Sequence, residues 1–170
     1  MNRLYLLRHA KAGWADPGTR DFDRPLTERG RRDAAAVGMA MRISGFVPDL
    51  VLCSTARRAR ETWECVAGTI GPMPASPAFV DSLYSCDAAG YLSIVRKTAD
   101  GMSSLLVVGH NPMIEDVAIA CAAEGDDTEL AALASGFPTS ALAVIQFRQP
   151  LAEAAPGSGS LTTFLTPAML

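Results

Sequence analysis

Histidine is nearly absent from this chain, with two among 170 residues. Cysteine is sparse as well: Cys53, Cys65, Cys86 and Cys121 are spread widely and form no C-x-x-C pair. That spacing excludes a local thiolate metal site, and a chain this long has core enough not to need disulfide staples. The four read as free, mostly buried thiols, with Cys86, in a polar stretch, the most exposed. No apolar run approaches the ~20 residues of a membrane span. The first apolar segment is strand-length and lacks the h-region and cleavage site of a signal peptide, so the expected location is cytoplasmic. Positive charge is not in surplus either: 15 Lys and Arg face 18 Asp and Glu, for a net charge of -3. No global field recruits nucleic acid, and any anion site must be a local concentration of arginine. The 49% hydrophobic content is that of an ordinary globular protein, and residues 1–170 are expected to form one domain.

What is present alternates between strand-like and helix-like patterns. Strands are expected at Arg3–Arg8, Leu50–Cys53, Phe79–Val80, Leu105–Val108, Ala141–Phe147 and Leu161–Leu165. Thr27 reads as the N-cap of a helix reaching Ile43, with Glu28 favourable in its first turn. Ala34, Val37, Gly38 and Met41 give that helix an inward stripe, and Gly45 and Pro48 end it. A second helix is expected after a Ser54 or Thr55 cap, ending near Gly68. Others are expected over Ala88–Thr98, after Pro112 and around Thr128–Leu133. Residues 71–77 carry three prolines and read as a loop, and Pro150–Ser160 reads as a flexible one. The pattern predicts an α/β fold in three layers: a mostly parallel central sheet flanked by helices, the last two strands antiparallel at one edge.

Both histidines close predicted strands. His9 follows Leu4-Tyr5-Leu6-Leu7-Arg8, and His110 follows Leu105-Leu106-Val107-Val108-Gly109. Ligands of open α/β sheets bind at the carboxyl ends of strands, so the two can face one crevice. Arg8 and His9 would point to opposite faces of an ideal strand, so both reach one ligand only if the strand ends between them. Arg57, Arg58 and Arg60 open another helix at the end where the dipole disfavours cations. A bound anion would offset that cost through backbone N–H groups and guanidinium forks; a solvated basic face paired with Glu61 and Glu64 is the alternative. A neutral imidazole nitrogen can attack phosphorus directly, its other nitrogen donating to a backbone carbonyl. Phosphoryl transfer then needs mainly positioning and charge stabilisation, which Arg8 and a protonated His110 can supply. Gly109-His110-Asn111-Pro112 adds main-chain donors at a helix start, with the Asn111 N–H as a further phosphate ligand. Two histidines a hundred residues apart make no metal-ligand motif.

Four segments, in order, resemble the motifs of the histidine phosphatase superfamily, the phosphoglycerate mutase-like or RHG family. Leu7-Arg8-His9-Ala10 resembles its Arg-His-Gly opening, with Ala10 in place of Gly. Arg24-Pro25-Leu26-Thr27-Glu28-Arg29-Gly30 resembles the Arg-Pro-Leu-Thr-x-x-Gly helix entry. Ser54 to Thr62 resembles Ser-Pro-x-x-Arg-Ala-x-Gln/Glu-Thr, with Thr55 in place of Pro, and Val108-Gly109-His110-Asn111-Pro112 resembles the second-histidine motif. The similarity runs from Arg3 to about Phe147 and is greatest to the small SixA-type phosphohistidine phosphatases. It implies a phosphoglycerate mutase-like fold and a metal-independent phosphatase without cofactor. In that reading His9 is the nucleophile, and Arg8, Arg58 and His110 complete the phosphate pocket. The alignment picks Arg58 out of three arginines and leaves Arg57 and Arg60 to the solvated face.

The acidic proton donor of larger relatives has no clean match. Asp81, before Leu83-Tyr84, lies in the right region, and Asp87 reads as a helix cap. General acid help contributes ~10²–10⁴-fold where the leaving group needs a proton. An alkoxide needs it more than an imidazole does, so a weak acid fits P–N cleavage. The short Gly68–Asp87 connection leaves little chain for a lid. Phosphohistidine in proteins is therefore the expected substrate, with a broad small-molecule phosphomonoesterase and a non-catalytic phosphate-binding module as alternatives. A mutase would need more chain to retain a phosphorylated intermediate.

Overall fold

The computed structural model describes residues 1–14, 16–74 and 76–170. Seven strands form one sheet in the order β3-β2-β4-β1-β6-β7-β5. They are β1 (Asn2–Arg8), β2 (Leu50–Ser54), β3 (Ala78–Val80), β4 (Ser104–Gly109), β5 (Ala122–Gly125), β6 (Leu142–Phe147) and β7 (Gly159–Leu165). β1 to β4 are mutually parallel, and only β6 runs against the rest. The helices are α1 (Glu28–Ile43), α2 (Arg57–Ile70), α3 (Ser82–Ser85), α4 (Ala88–Thr98), α5 (Met113–Cys121) and α6 (Asp127–Ala134).

Alternation along the central strands divides the core in two. In β1, Leu4 and Leu6 join Leu105 and Val107 under α4 and α5, while Tyr5 and Leu7 join Leu106 and Val108 under α1 and α2. Period-2 side chains on a sheet covered on both faces give this three-layer arrangement. The α1 stripe of Ala34, Val37, Gly38 and Met41 is buried as its periodicity predicts. Thr27 caps α1, its Oγ1 accepting the Gly30 N–H at 3.0 Å. Gly30 is fixed by contact: a Cβ there would lie 2.2 Å from the Lys11 carbonyl oxygen, so α1 abuts the chain just past His9.

Four expectations need correction. α2 is not capped by Ser54 or Thr55: its N-cap is Ala56, without a side-chain cap, and Ser54 is the last residue of β2. The β6–β7 pair is antiparallel but not at the sheet edge, because β5 pairs parallel outside β7. β5 escaped the sequence reading since Ala-Ala-Glu-Gly has no β-branched or aromatic residue, and only pairing makes it a strand. The 150–160 segment is not loose: Leu151 and Ala154 are fully buried and Arg96 Nη1 donates to the Ala154 carbonyl at 2.9 Å. Two cysteines, Cys53 and Cys121, are buried, and all four are free. Among the described residues, no helix is long and apolar enough to cross a membrane.

Candidate active site

Three parallel strands end together and bring the predicted side chains to one crevice. β1 stops at Arg8, so the chain is released from strand geometry before His9, whose N–H still donates to the Gly109 carbonyl at 3.0 Å. Arg8 and His9 can therefore serve one site although neighbours on a strand would diverge. The His9 and His110 rings lie 5.3 Å apart between centroids, tilted by 52°. Arg58, second residue of α2, is buried beside them at 7% exposure. Thr62, one turn on, ties helix to loop: its Oγ1 accepts the Ala10 N–H at 2.9 Å and donates to the Arg58 carbonyl at 2.7 Å.

His9 is held in one tautomer. Its Nδ1 lies 2.8 Å from the Ala10 carbonyl oxygen, which can only accept, so Nδ1 carries the proton and Nε2 the lone pair. Burial foremost, and then Arg58, Arg8 and Arg24, push its pKa down to about 4, against the Ala10 hydrogen bond, which raises it. His110 Nε2 lies 2.8 Å from Ser54 Oγ, which also accepts the Ala56 N–H at 3.2 Å. Its N–H donor on the backbone reaches the Tyr91 hydroxyl at 3.2 Å, and that hydroxyl donates to the Leu83 carbonyl. Gly109 makes room for this bridge, since a Cβ there would lie 2.7 Å from the Tyr91 hydroxyl oxygen. Burial, then His9 and Arg58, push the His110 pKa down to about 3. With protein groups alone around it His110 is therefore held neutral, and the charged form expected from sequence depends on a bound anion; both imidazoles are buried among arginines.

The crevice holds buried polar atoms that no protein group satisfies. Among the described residues they are Arg8 Nε, Arg58 Nε, His110 Nδ1, Thr55 Oγ1 and Ser140 Oγ. All five belong to the strand-end region: Thr55 follows β2, and the Ser140 N–H is shared by the Arg8 and His9 carbonyls, each at 3.2 Å. Ser140 sits in the left-handed region at φ 63°, a conformation rarely held without a local demand. Buried polar groups are normally paired, so the orphans on Arg8, Arg58 and His110, which feel one another's charge, describe a site for a polar ligand.

Other predicted residues are placed differently. Asn111 uses its side chain internally: Nδ2 donates to Glu115 Oε2 and to the Phe137 carbonyl, both at 3.2 Å, and Oδ1 accepts the Glu115 N–H at 3.3 Å. Its backbone N–H has no protein acceptor among the described residues. Pro112 takes the N-cap position of α5. Asp81 follows β3 and precedes α3; it is exposed, and among the described residues no hydrogen bond or ion pair joins it to the two histidines or Arg58. Arg57 pairs with Glu61 at 2.9 Å and Arg60 Nε donates to the Thr55 carbonyl at 2.9 Å, as solvated neighbours of Arg58. No group of three or more His, Cys, Asp or Glu among the described residues is placed to hold a metal ion.

Sequence reasoning missed Asp21 and Tyr84. Arg58 Nη1 donates to the Asp21 carbonyl at 2.8 Å, and Nη2 to Asp21 Oδ2 at 3.1 Å. The same Oδ2 accepts the Tyr84 hydroxyl at 2.8 Å, and Oδ1 accepts Arg24 Nη1 at 3.0 Å. The Tyr84 bond first, with help from Arg24 and Arg58, holds the Asp21 carboxyl down at about 2. The Tyr84 ring stands edge-on to His110 at 5.5 Å. Nothing local in a loop aspartate or a lone tyrosine marks either, since 37 and 63 residues separate the partners. Arg8 and Asn111, but not His9, His110 or Arg58, also line a neighbouring cleft of about 1090 Å³, together with Lys11, Glu115 and Phe137.

Comparison with known proteins decides the family. Residues 4–82 match the profile of the histidine phosphatase superfamily (branch 1). An uncharacterized protein of Mycobacterium tuberculosis is 37% identical over 163 residues, 95% of this chain and 99% of that one. The SixA protein of Agrobacterium tumefaciens, proposed as a phosphohistidine phosphatase, superimposes with a TM-score of 0.82 at 38% identity, covering 98% of each chain. A similarly described SixA of Nakamurella multipartitia superimposes with a TM-score of 0.79 at 30% identity, over 98% of this chain and 96% of that one. The chain belongs to the histidine phosphatase superfamily. It has the phosphoglycerate mutase-like α/β fold and is a phosphatase, a hydrolase of phosphorylated substrates.

Proposed function

We propose that this phosphatase works through a covalent phosphohistidine on His9 and acts on phosphohistidine in proteins. The observation that carries the reading is a neutral, tautomer-fixed His9 surrounded by buried nitrogens of Arg8, Arg58 and His110 that lack protein acceptors. His9 Nε2 attacks phosphorus as the P–N bond to the substrate imidazole breaks, and that imidazole takes a proton from solvent. Water then attacks the phosphohistidine, releasing inorganic phosphate and restoring His9. Arg8 and Arg58 hold the equatorial oxygens, Arg being suited by its planar fork. The Asn111 N–H adds a main-chain donor at the start of α5. A phosphoryl dianion beside His110 opposes the effect of burial and raises its proton affinity, so that it becomes a charged ligand only when substrate is bound.

The proton inventory favours P–N over P–O cleavage. Asp21, the carboxylate hydrogen-bonded to Arg58, is held ionised and has no proton to give. Asp81 is exposed, and among the described residues its carboxylate makes no hydrogen bond to Asp21, Arg58 or Tyr84. A leaving imidazole tolerates that lack; an alkoxide does not. The open cleft of about 1090 Å³ beside Arg8 leaves room for a side chain presented by a folded protein. The SixA name of the two solved relatives points the same way. The test is a substrate panel in chelator: a phosphohistidine-bearing protein against sugar phosphates, whose alkoxide leaving groups need a proton. The reading expects kcat/KM at least ~10²-fold higher on the P–N substrate. Equal efficiency would favour the second reading, a broad phosphomonoesterase, which the exposed Asp81 disfavours.

A further inference from the structure

Arg58 is already engaged by an anion, and that anion belongs to the protein. Asp21 receives both Nη groups of Arg58, one on its carbonyl at 2.8 Å and one on its carboxylate at 3.1 Å. The carboxylate is fixed from two further sides by Arg24 at 3.0 Å and by Tyr84 at 2.8 Å. Only Arg58 Nε is left buried without a partner. The Arg58 side chain is 9% exposed whereas that of Asp21 is 53% exposed, so the pair spans the boundary between crevice and solvent.

We infer that Asp21 is a built-in countercharge that shares Arg58 with the bound phosphoryl group and weakens the hold on inorganic phosphate, so that product leaves. The inference rests on the reading of Arg58 as a phosphate ligand and deepens it. A crevice offering Arg8, Arg58 and polar N–H donors in low dielectric would otherwise retain a phosphate dianion, because attraction there is far less screened than in water. A fixed carboxylate one guanidinium away subtracts from that attraction at every stage of the cycle. It also orients the guanidinium by pinning both Nη groups, which leaves the Nε edge to the ligand. Two roles are thus combined, and they have opposite signs in phosphate affinity: loss of orientation weakens binding, loss of the negative charge tightens it. The carbonyl contact survives side-chain substitution, so the charge role is the one a substitution exposes.

The experiment is direct titration of inorganic phosphate by calorimetry, at fixed pH and ionic strength. Wild type is compared with Asp21→Asn, which keeps shape and an acceptor oxygen but removes charge, and with Asp21→Glu, which keeps the charge. Asp21→Asn is expected to bind phosphate about tenfold tighter, and Asp21→Glu within about threefold of wild type. Competitive inhibition of turnover by phosphate shifts in the same direction. Unchanged or weaker phosphate binding by Asp21→Asn overturns the inference. Arg58→Ala separates the two layers: if it fails to weaken phosphate binding, the crevice reading falls and the inference with it. If Arg58→Ala weakens binding while Asp21→Asn does not tighten it, only the role of Asp21 falls.

Discussion

Arg58 and Glu61 lie three residues apart on α2, both buried and both charged, yet their surroundings are opposite. Glu61 is filled entirely by protein: Oε2 accepts the Leu26 N–H at 2.7 Å, and Oε1 meets Arg57 at 2.9 Å and Arg31 at 3.0 Å. Burial pushes its pKa up, but the Leu26, Arg57 and Arg31 contacts outweigh that and leave it lowered. Arg58 keeps an orphaned Nε beside the orphaned Arg8 Nε and His110 Nδ1. A closed charge cluster stabilises a fold and an open one waits for a ligand, because an unsatisfied buried polar group is costly until something satisfies it. Composition cannot tell them apart; the partner count can.

That contrast can be broken at either end. The largest effect is expected from His9→Ala, which removes the attacking nitrogen and lowers kcat by at least ~10³-fold, read by phosphate release. Arg58→Ala follows, with kcat/KM down ~10²–10³-fold and little rescue by Lys, whose point charge cannot fork two oxygens. Glu61→Ala acts on the closed cluster instead: it strands the buried Leu26 N–H and costs ~1–3 kcal/mol of stability by chemical denaturation. Turnover of its folded fraction is expected to fall less than ~tenfold, since no phosphate ligand is lost.

The histidines predict a pH dependence of stability. Both folded pKa values, about 4 and about 3, lie below the ordinary ~6.5 of the unfolded chain. As pH falls below ~6.5 the unfolded chain takes up protons that the folded chain refuses, so stability drops through the window down to about 4 for His9 and about 3 for His110. Thermal denaturation from pH 7.5 to 4.5 should show a falling Tm, with a shallower slope in His110→Gln. Saturating phosphate should also flatten it by favouring protonated His110. The smallest effect is expected from Asp81→Asn, less than ~threefold on a phosphohistidine substrate. A loss of ~10²-fold there would make the exposed Asp81 the missing acid.

Much of this was legible in the chain because strand-ends carry the site. The apolar runs before His9 and His110 place both at the carboxyl ends of neighbouring parallel strands, and the capped, periodic α1 follows the loop after His9. What escaped detection depends on contacts distant in sequence. Asp21 reads as one acid among several in a polar loop until Arg58, Arg24 and Tyr84 meet on it. Ser54 reads as a helix cap because its type favours caps, but pairing with Val80 of β3 keeps it in β2, where its hydroxyl meets His110. The lowered proton affinity of His110 was not legible for the same reason: burial sets it, and burial is a property of the packed fold.

The central claim is that His9 carries the phosphoryl group, and rapid-quench labelling tests it most directly. Protein mixed with a ³²P-labelled phosphodonor is quenched within the first turnover and digested. The account predicts label that is acid-labile, alkali-stable and confined to the peptide holding His9, absent in His9→Ala. Full turnover with no such label, or label elsewhere in the chain, would contradict it.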